Sequence, residues 1–166
     1  IKERDPILFE KAKRILENCN LPNSKEFVFY IQTQFYEGTR SWGDYVKVTT
    51  KYFNAYNVSD PHMLHYAAYK FARFVEPKNK SAMKNGIKWA KESIRIDYEY
   101  YNHVTLALLY HKTGEFKLSE QLALKALEIA EIRNKTYQER KIDKEVDTTD
   151  ARRLIDKLRS RGLLNR

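Results

Sequence analysis

The chain has 166 residues, of which 42% are hydrophobic and 13% aromatic, so it is long and apolar enough to bury a core. Its single cysteine excludes an internal disulfide and a cysteine-based zinc cluster, and no run of about 18 apolar residues exists to cross a membrane as a helix. The net charge of +9 favours an anionic partner, but residues 133–166 contribute +5 of it, from eleven Lys and Arg against six Asp and Glu. We interpret this tail-weighted charge as a solvated helix face rather than a binding groove.

The first third of the chain predicts three helices. Asp5 followed by Pro6 is typical of an N-cap with proline at the first helical position, and this helix ends before the turn sequence NCNLPN. Ser24 is expected to cap a second helix that ends at Gly38. A third opens at Ser41 and ends before NVSDP.

The remainder predicts five more helical segments. We expect them at residues 60–76, 81–97, 100–112 and 117–133, and from Thr149 to a C-cap at Gly162. The polar stretch at 134–147 is expected to be helical as well. No stretch alternates with period two for long enough to predict a strand, so the predicted fold class is all-α, an array of seven or eight helices in antiparallel hairpins.

An internal repeat is visible in the second half of the chain. When residues 85–96, NGIKWAKESIRI, are set over residues 118–129, LSEQLALKALEI, small side chains coincide at a spacing of 33. Small residues at matching places allow two helices to pack closely. The matching pairs are Gly86 with Ser119, Ala90 with Ala123 and Ser93 with Ala126.

This pattern resembles the tetratricopeptide repeat. When Gly114 is placed at that family's inter-helix glycine, residues 106–107 fall on its Leu-Gly/Ala pair and Tyr110 falls on its helix A tyrosine. Two positions depart from the family, since His103 replaces a large apolar residue and Ala123 an aromatic one. The resemblance implies an α-α superhelix.

The expected organisation is a single helical-repeat domain over 1–166. It would consist of divergent helices at 1–58, two tetratricopeptide-like helix pairs at 60–133 and a basic C-terminal capping segment at 134–166. We also expect the chain to be a fragment of a longer protein, since IKERDP is neither a signal peptide nor a usual translation start.

A second resemblance covers residues 60–135. The sequence WAKES at 89–93, followed by YYNHVTLALLYHKTG at 100–114, is similar to the C-terminal helical region of a group of Bacteroidetes thioredoxin-like proteins. In that group a secreted or envelope-exposed thioredoxin domain precedes a helical tail. The resemblance implies a periplasmic or cell-envelope location, with the cytoplasm as the alternative. The Cys-x-x-Cys motif of such proteins is absent here, so no thiol chemistry is carried over.

Catalytic and metal-binding signatures are weak throughout. His62 and His65 are three apart on one helix, but no third ligand completes a metal set. His103 and His111 are too far apart to converge on one ion. The glycines are isolated, which excludes a glycine-rich phosphate loop, and no nucleophile, base and orienting group occur together. We therefore expect no enzymatic activity, no cofactor and no metal in this chain.

The expected partner is a protein or peptide. In tetratricopeptide arrays the first helix of each pair lines the concave face, where partners bind. Carried onto this sequence, that face comprises Tyr66, Tyr69, Arg73, Tyr101, Val104, Thr105, Leu108, His111 and Lys112. Its mixed apolar and aromatic character departs from the Lys and Asn clamp that holds a C-terminal carboxylate, which favours an apolar or aromatic peptide.

Three alternatives stay open at this point. Tyrosines beside basic residues, as in YEYYNH and HYAAYKF, are also typical of single-stranded nucleic-acid binding. In the second alternative the chain is a structural appendage of a redox domain, and in the third it is a cytoplasmic tetratricopeptide adaptor.

Overall fold

The computed structural model of the chain describes residues 5–56, 58–160 and 162. The described residues form eight helices and no strand, which confirms the all-α prediction. The helices are α1 (Pro6–Glu17), α2 (Ser24–Gly38), α3 (Trp42–Tyr56), α4 (Pro61–Phe74), α5 (Lys80–Ile96), α6 (Tyr100–Thr113), α7 (Phe116–Glu139) and α8 (Thr149–Ser160).

The chain divides into two compact units, Ile1–Val58 and Ser59–Arg166, here called the N-terminal and C-terminal units. The expected single domain over 1–166 stays a prediction. Within the predicted segments 1–58 and 134–166, residues 1–4, 57, 161 and 163–166 lie outside the described residues.

The N-terminal unit is built from α1, α2 and α3, in which α2 contacts both neighbours. Asp5 caps α1 as predicted, because its carboxylate accepts a hydrogen bond of 2.7 Å from the N–H of Ile7. The expected cap at Ser24 is wrong: Asn23 precedes α2 in a left-handed conformation, and the Ser24 hydroxyl instead donates to the carbonyl of Cys19. Ser24 therefore closes the turn and does not cap the helix.

The C-terminal unit is built from helix pairs. In the pair α6 and α7, the Ser119 hydroxyl donates to the Ala107 carbonyl at 2.8 Å, and Arg133 pairs with Glu99. Both contacts join residues placed about equally before and after the short turn, so the helices run antiparallel. Helix α6 also contacts α4 and α5, and α8 contacts both α7 and α6.

Small side chains set the spacing of these helices. A Cβ on Gly86 would lie 3.1 Å from Leu109 Cδ2 and 3.4 Å from Phe71 Cβ, so the glycine allows α5 to approach both α4 and α6. The repeat-related Ser119 is fully buried against α6. Both positions of this matched pair therefore serve close helix packing.

Gly114 ends α6 in a left-handed conformation, with φ of 87°. Its N–H donates to the carbonyl of His111, and the N–H of Glu115 donates to the carbonyl of Tyr110. These two bonds form a Schellman motif, which caps the last carbonyls of the helix. The predicted role of Gly114 in the turn between the paired helices is confirmed.

The helix expected over 134–147 is only partly present. Helix α7 continues to Glu139, and residues 140–148 are not helical. Lys141 takes a left-handed conformation, with φ of 54°, which ends the helix. The Asn134 side chain then accepts a hydrogen bond of 2.8 Å from the N–H of Val146, so the segment folds back along the end of α7 and leads into α8.

Candidate functional site

A pocket of about 290 Å³ lies in the C-terminal unit where α4, α6 and the start of α8 meet. Five of the nine residues predicted for the binding face line it, and four further residues complete it. The lining residues are His65, Tyr66, Tyr69, Tyr100, Tyr101, Val104, Thr105, Asp147 and Asp150.

The walls of the pocket are aromatic. Tyr66 on α4 is 45% exposed and Tyr101 on α6 is 52% exposed, while Tyr69 is half-buried one turn after Tyr66. Val104 and Thr105 lie buried at the base, where Val104 belongs to the core cluster shared by α6, α7 and α8. The pocket thus joins accessible rings to a rigid base.

One edge of the pocket is acidic. The Asp150 carboxylate pairs with the guanidinium of Arg73, which lies 5.5 Å from the centre of the Tyr69 ring. Asp147 Oδ1 accepts a hydrogen bond of 2.9 Å from the N–H of Thr149 at the start of α8. Hydrogen bonding from Thr149 also lowers the pKa of Asp147, so this carboxylate is ionised at neutral pH.

Tyr100 brings a buried polar group to the pocket. The residue is 2% exposed, and its hydroxyl oxygen makes no hydrogen bond of ordinary geometry within the described part of the chain. Burial raises the pKa of Tyr100 to about 12, the nearby N–H of Ala151 acts in the opposite direction, and the carboxylates of Asp150 and Asp147 raise it further. The hydroxyl therefore keeps its proton at neutral pH and lies near the acidic edge.

His65 adds a neutral imidazole to the α4 side. Its ring stacks on Tyr69 at a centroid distance of 6.2 Å, and its Nδ1 lies 3.5 Å from the Thr105 hydroxyl. Burial lowers the pKa of His65, and neighbouring His62 acts in the same direction. The imidazole is uncharged at neutral pH, so the two carboxylates are the charged groups that line the pocket.

The other four predicted residues serve contacts outside the lining. Arg73 lies beside the pocket through its pair with Asp150. Leu108 packs against two buried clusters of the unit, and the His111 ring lies 5.8 Å from that of Phe116. Lys112 Nζ donates to the carbonyl of Val75 at the end of α4. The contacts of Leu108, His111 and Lys112 hold α6 to its neighbours.

The predicted binding face did not include four residues that line the pocket: His65, Tyr100, Asp147 and Asp150. Two of them are neighbours in sequence of predicted residues and had a signal in the aromatic runs HYAAYKF and YEYYNH. The two aspartates had none, since only the packing of α8 beside α6 brings them to the pocket.

Other kinds of site find no support in the described residues. No group of three or more His, Cys, Asp and Glu side chains in 5–56, 58–160 and 162 is placed to hold a metal ion. No helix in that part of the chain has the length and apolar character needed to cross a bilayer.

Comparison with known protein families, curated proteins and solved structures finds no match to this chain. The resemblances to tetratricopeptide repeats and to thioredoxin-like proteins therefore stay predictions.

Proposed function

We propose that the C-terminal unit is a non-catalytic binding module that anchors a peptide segment of a protein partner in the tyrosine pocket. The observation that carries the proposal is the convergence of Tyr66, Tyr69 and Tyr101 from two helices around one cavity over a buried base. Tyrosine rings give large contact area at little conformational cost, and they are enriched among the residues that dominate interface energies.

The size of the pocket supports an anchor rather than a complete small-molecule site. Its volume of about 290 Å³ is at or below the lower end of the range for drug-sized ligands, which is roughly 300 to 1,000 Å³. Such a cavity accommodates one side chain of a longer ligand. The rest of the ligand would lie over the exposed parts of α4 and α6, as in helical-repeat proteins that bind peptides along one face.

The resemblances give this proposal a context. A tetratricopeptide-like array would use α4 and α6 as the first helices of its pairs, with α8 as a capping helix. We further propose that the chain is the C-terminal scaffold region of a longer cell-envelope protein with a thioredoxin-like domain, and that it has no catalytic role itself. The alternative location is the cytoplasm, where the same module would act as an adaptor.

Nucleic-acid binding is the second candidate, and one observation favours it. Helix α8 exposes several basic side chains on the face opposite its buried Leu154 and Leu158. A strand of DNA or RNA would use this face and not the acidic pocket, because phosphates are repelled by carboxylates. The basic residues are Arg152, Arg153, Lys157 and Arg159.

A peptide-display experiment on the 166-residue chain tests the first candidate. Random dodecapeptides are selected on the immobilised chain, and the enriched ones are measured by fluorescence anisotropy. Tyr101→Ala should weaken their binding by about tenfold or more, because truncating an aromatic anchor typically costs more than 1 kcal/mol. Tyr30→Ala in α2 is the matched control, since Tyr30 is exposed to a similar degree in the other unit.

Two results would overturn this proposal. One is a selection that enriches no peptide, and the other is a set of enriched peptides that bind Tyr101→Ala as well as the parent. A labelled single-stranded oligonucleotide is measured in parallel. Low-micromolar binding that weakens steeply with salt, and that is lost when the four basic residues of α8 are neutralised, would support the second candidate.

A further inference from the structure

We propose that the pocket binds a basic side chain, a lysine or an arginine of the bound peptide. This inference rests on the proposed function and specifies its ligand. The pocket combines the two elements that recognise an organic cation, which are aromatic faces and carboxylates. Four tyrosine side chains line it, and Asp147 and Asp150 form its edge.

The protein already shows how these tyrosines interact with cations. Lys70 Nζ lies 4.7 Å from the centre of the Tyr66 ring, and the Arg73 guanidinium lies 5.5 Å from that of Tyr69 while it pairs with Asp150. Two rings of the pocket thus hold a cation on one side. Tyr101, half exposed on α6, offers a third ring to a cation that enters from solvent.

The charge of the pocket contrasts with that of the chain. The lining residues include two aspartates and no lysine or arginine, whereas the whole chain carries +9. Arg73 offsets the charge of Asp150 from outside the lining, and Arg153 lies close enough to Asp147 to affect it electrostatically. A carboxylate can accept up to about four hydrogen bonds, so both groups keep capacity for a ligand cation.

Tyr100 adds a second requirement that a peptide meets. Its hydroxyl is buried at the acidic side of the pocket without a hydrogen bond of ordinary geometry among the described residues. Its proton needs an acceptor, and a backbone carbonyl next to the basic side chain would supply one. A free metal ion or a simple ammonium ion would leave this hydroxyl proton without an acceptor.

The test uses fluorescein-labelled heptapeptides that are identical except at the central position, Ser-Phe-Leu-X-Leu-Phe-Ser. X is arginine, lysine, citrulline or norleucine, and binding to the whole chain is measured by anisotropy. Arginine and lysine should bind about tenfold more tightly than the neutral citrulline and norleucine. The difference should shrink at high salt, because the partly exposed carboxylates are screened.

Variants locate the effect. Asp147→Asn should remove most of the preference for arginine while it preserves the fold, since asparagine accepts the same hydrogen bond at a helix start. Tyr100→Phe should weaken binding of all four peptides a few-fold and leave thermal stability unchanged or higher. Glu128→Gln is the matched control, because Glu128 is an exposed carboxylate of α7 outside the pocket lining.

The outcomes separate this inference from the proposed function. If norleucine and citrulline peptides bind as tightly as arginine, and Tyr101→Ala still weakens them, the peptide-binding function stands and the basic anchor is overturned. If Asp147→Asn and Glu128→Gln change the arginine preference equally, the acidic edge is not the cation site. If neither these peptides nor the display-selected ones bind, the proposed function itself is lost.

Discussion

The two units of this protein pack their helices with different side chains. The N-terminal unit relies on large rings at its contacts, such as the stacked pair Phe9 and Phe35 at 4.0 Å and the pair Phe29 and Tyr52 at 5.9 Å. Helix α1 has no buried residue, and α2 buries only Val28. In the C-terminal unit, glycine, alanine and serine sit at the helix contacts, and α6 alone buries nine residues.

Ion pairs occur in both units. In the N-terminal unit, the pairs Lys13 with Glu17 and Lys47 with Asp44 each join residues of one helix. Those of the C-terminal unit also connect different helices, as in Arg73 with Asp150. The pocket lies in the unit with the more deeply buried helices, and buried residues of that unit form the base beneath its exposed tyrosines.

The largest predicted effect concerns the rings themselves. Phe71→Ala should lower the free energy of unfolding of the C-terminal unit by about 3–5 kcal/mol, because Phe71 is 0% exposed and lies where α5 approaches α4 at Gly86. Phe9→Ala should cost the N-terminal unit only about 1–2 kcal/mol, because Phe9 is half-buried on a helix without a buried residue.

The two tryptophans report each unit separately, since Trp42 lies in α3 and Trp89 in α5. Urea unfolding is followed by Trp89 fluorescence in a Trp42→Phe background and by Trp42 fluorescence in a Trp89→Phe background. The midpoints are compared, not the intensities, because Trp89 contacts Phe71. Equal losses in the two units would contradict the stated difference in packing.

Smaller effects are predicted for one glycine-to-alanine substitution in each unit, and the two effects on stability have opposite signs. Gly114→Ala should destabilise the C-terminal unit by about 1–2 kcal/mol, because a side chain is strained at a φ of 87°. Gly43→Ala should stabilise the N-terminal unit by roughly 0.5–1 kcal/mol, because Gly43 is inside α3 and its new Cβ meets nothing within 4 Å. The same fluorescence experiment measures both, and a Gly114→Ala variant at least as stable as the parent would refute the assignment of Gly114 as a turn residue.

Much of this architecture was predictable from local sequence. The cap Asp5 and the glycine after Thr113 each act within a few residues of where they stand, and the small residues at a spacing of 33 mark where neighbouring helices meet. Such signals predict helix ends and the close contact of paired helices. The end of α7 was not predictable in this way: the stretch 134–147 was expected to be helical throughout but is helical only to Glu139, because no glycine marks the left-handed residue Lys141 that follows.

The candidate site was only partly predictable, because a helix face does not show what covers it. The residues chosen on α6 share one face by their spacing, but Leu108 on that face packs with Leu154 and Ile155 of α8. The aspartates at the start of α8 meet the tyrosines only through that packing. The position of a capping helix depends on contacts between residues far apart in sequence, and no local pattern encodes it.

The smallest predicted effect is a difference between the two units in how their stability depends on pH. All four histidines lie in the C-terminal unit, and burial lowers the pKa of both His103 and His65. For His103 the hydrogen bond to the Glu99 carbonyl opposes this in part. A lowered pKa means that the unfolded chain binds more protons than the folded one as the pH falls through the ordinary histidine range. The stability of the C-terminal unit should therefore decrease between pH 7.5 and 5.5.

Urea midpoints of the two tryptophan reporters at these two pH values test this prediction. The N-terminal unit should hold its midpoint, because its sequence contains no histidine to titrate in this window. His103→Leu should flatten the response of the C-terminal unit, since leucine fits a buried site and does not titrate. A parallel decrease in both units, or an unchanged slope in His103→Leu, would show that the buried histidines are not its source. The pocket should be lost as the C-terminal unit unfolds, because its base is formed by buried residues of α6, the helix that contains His103.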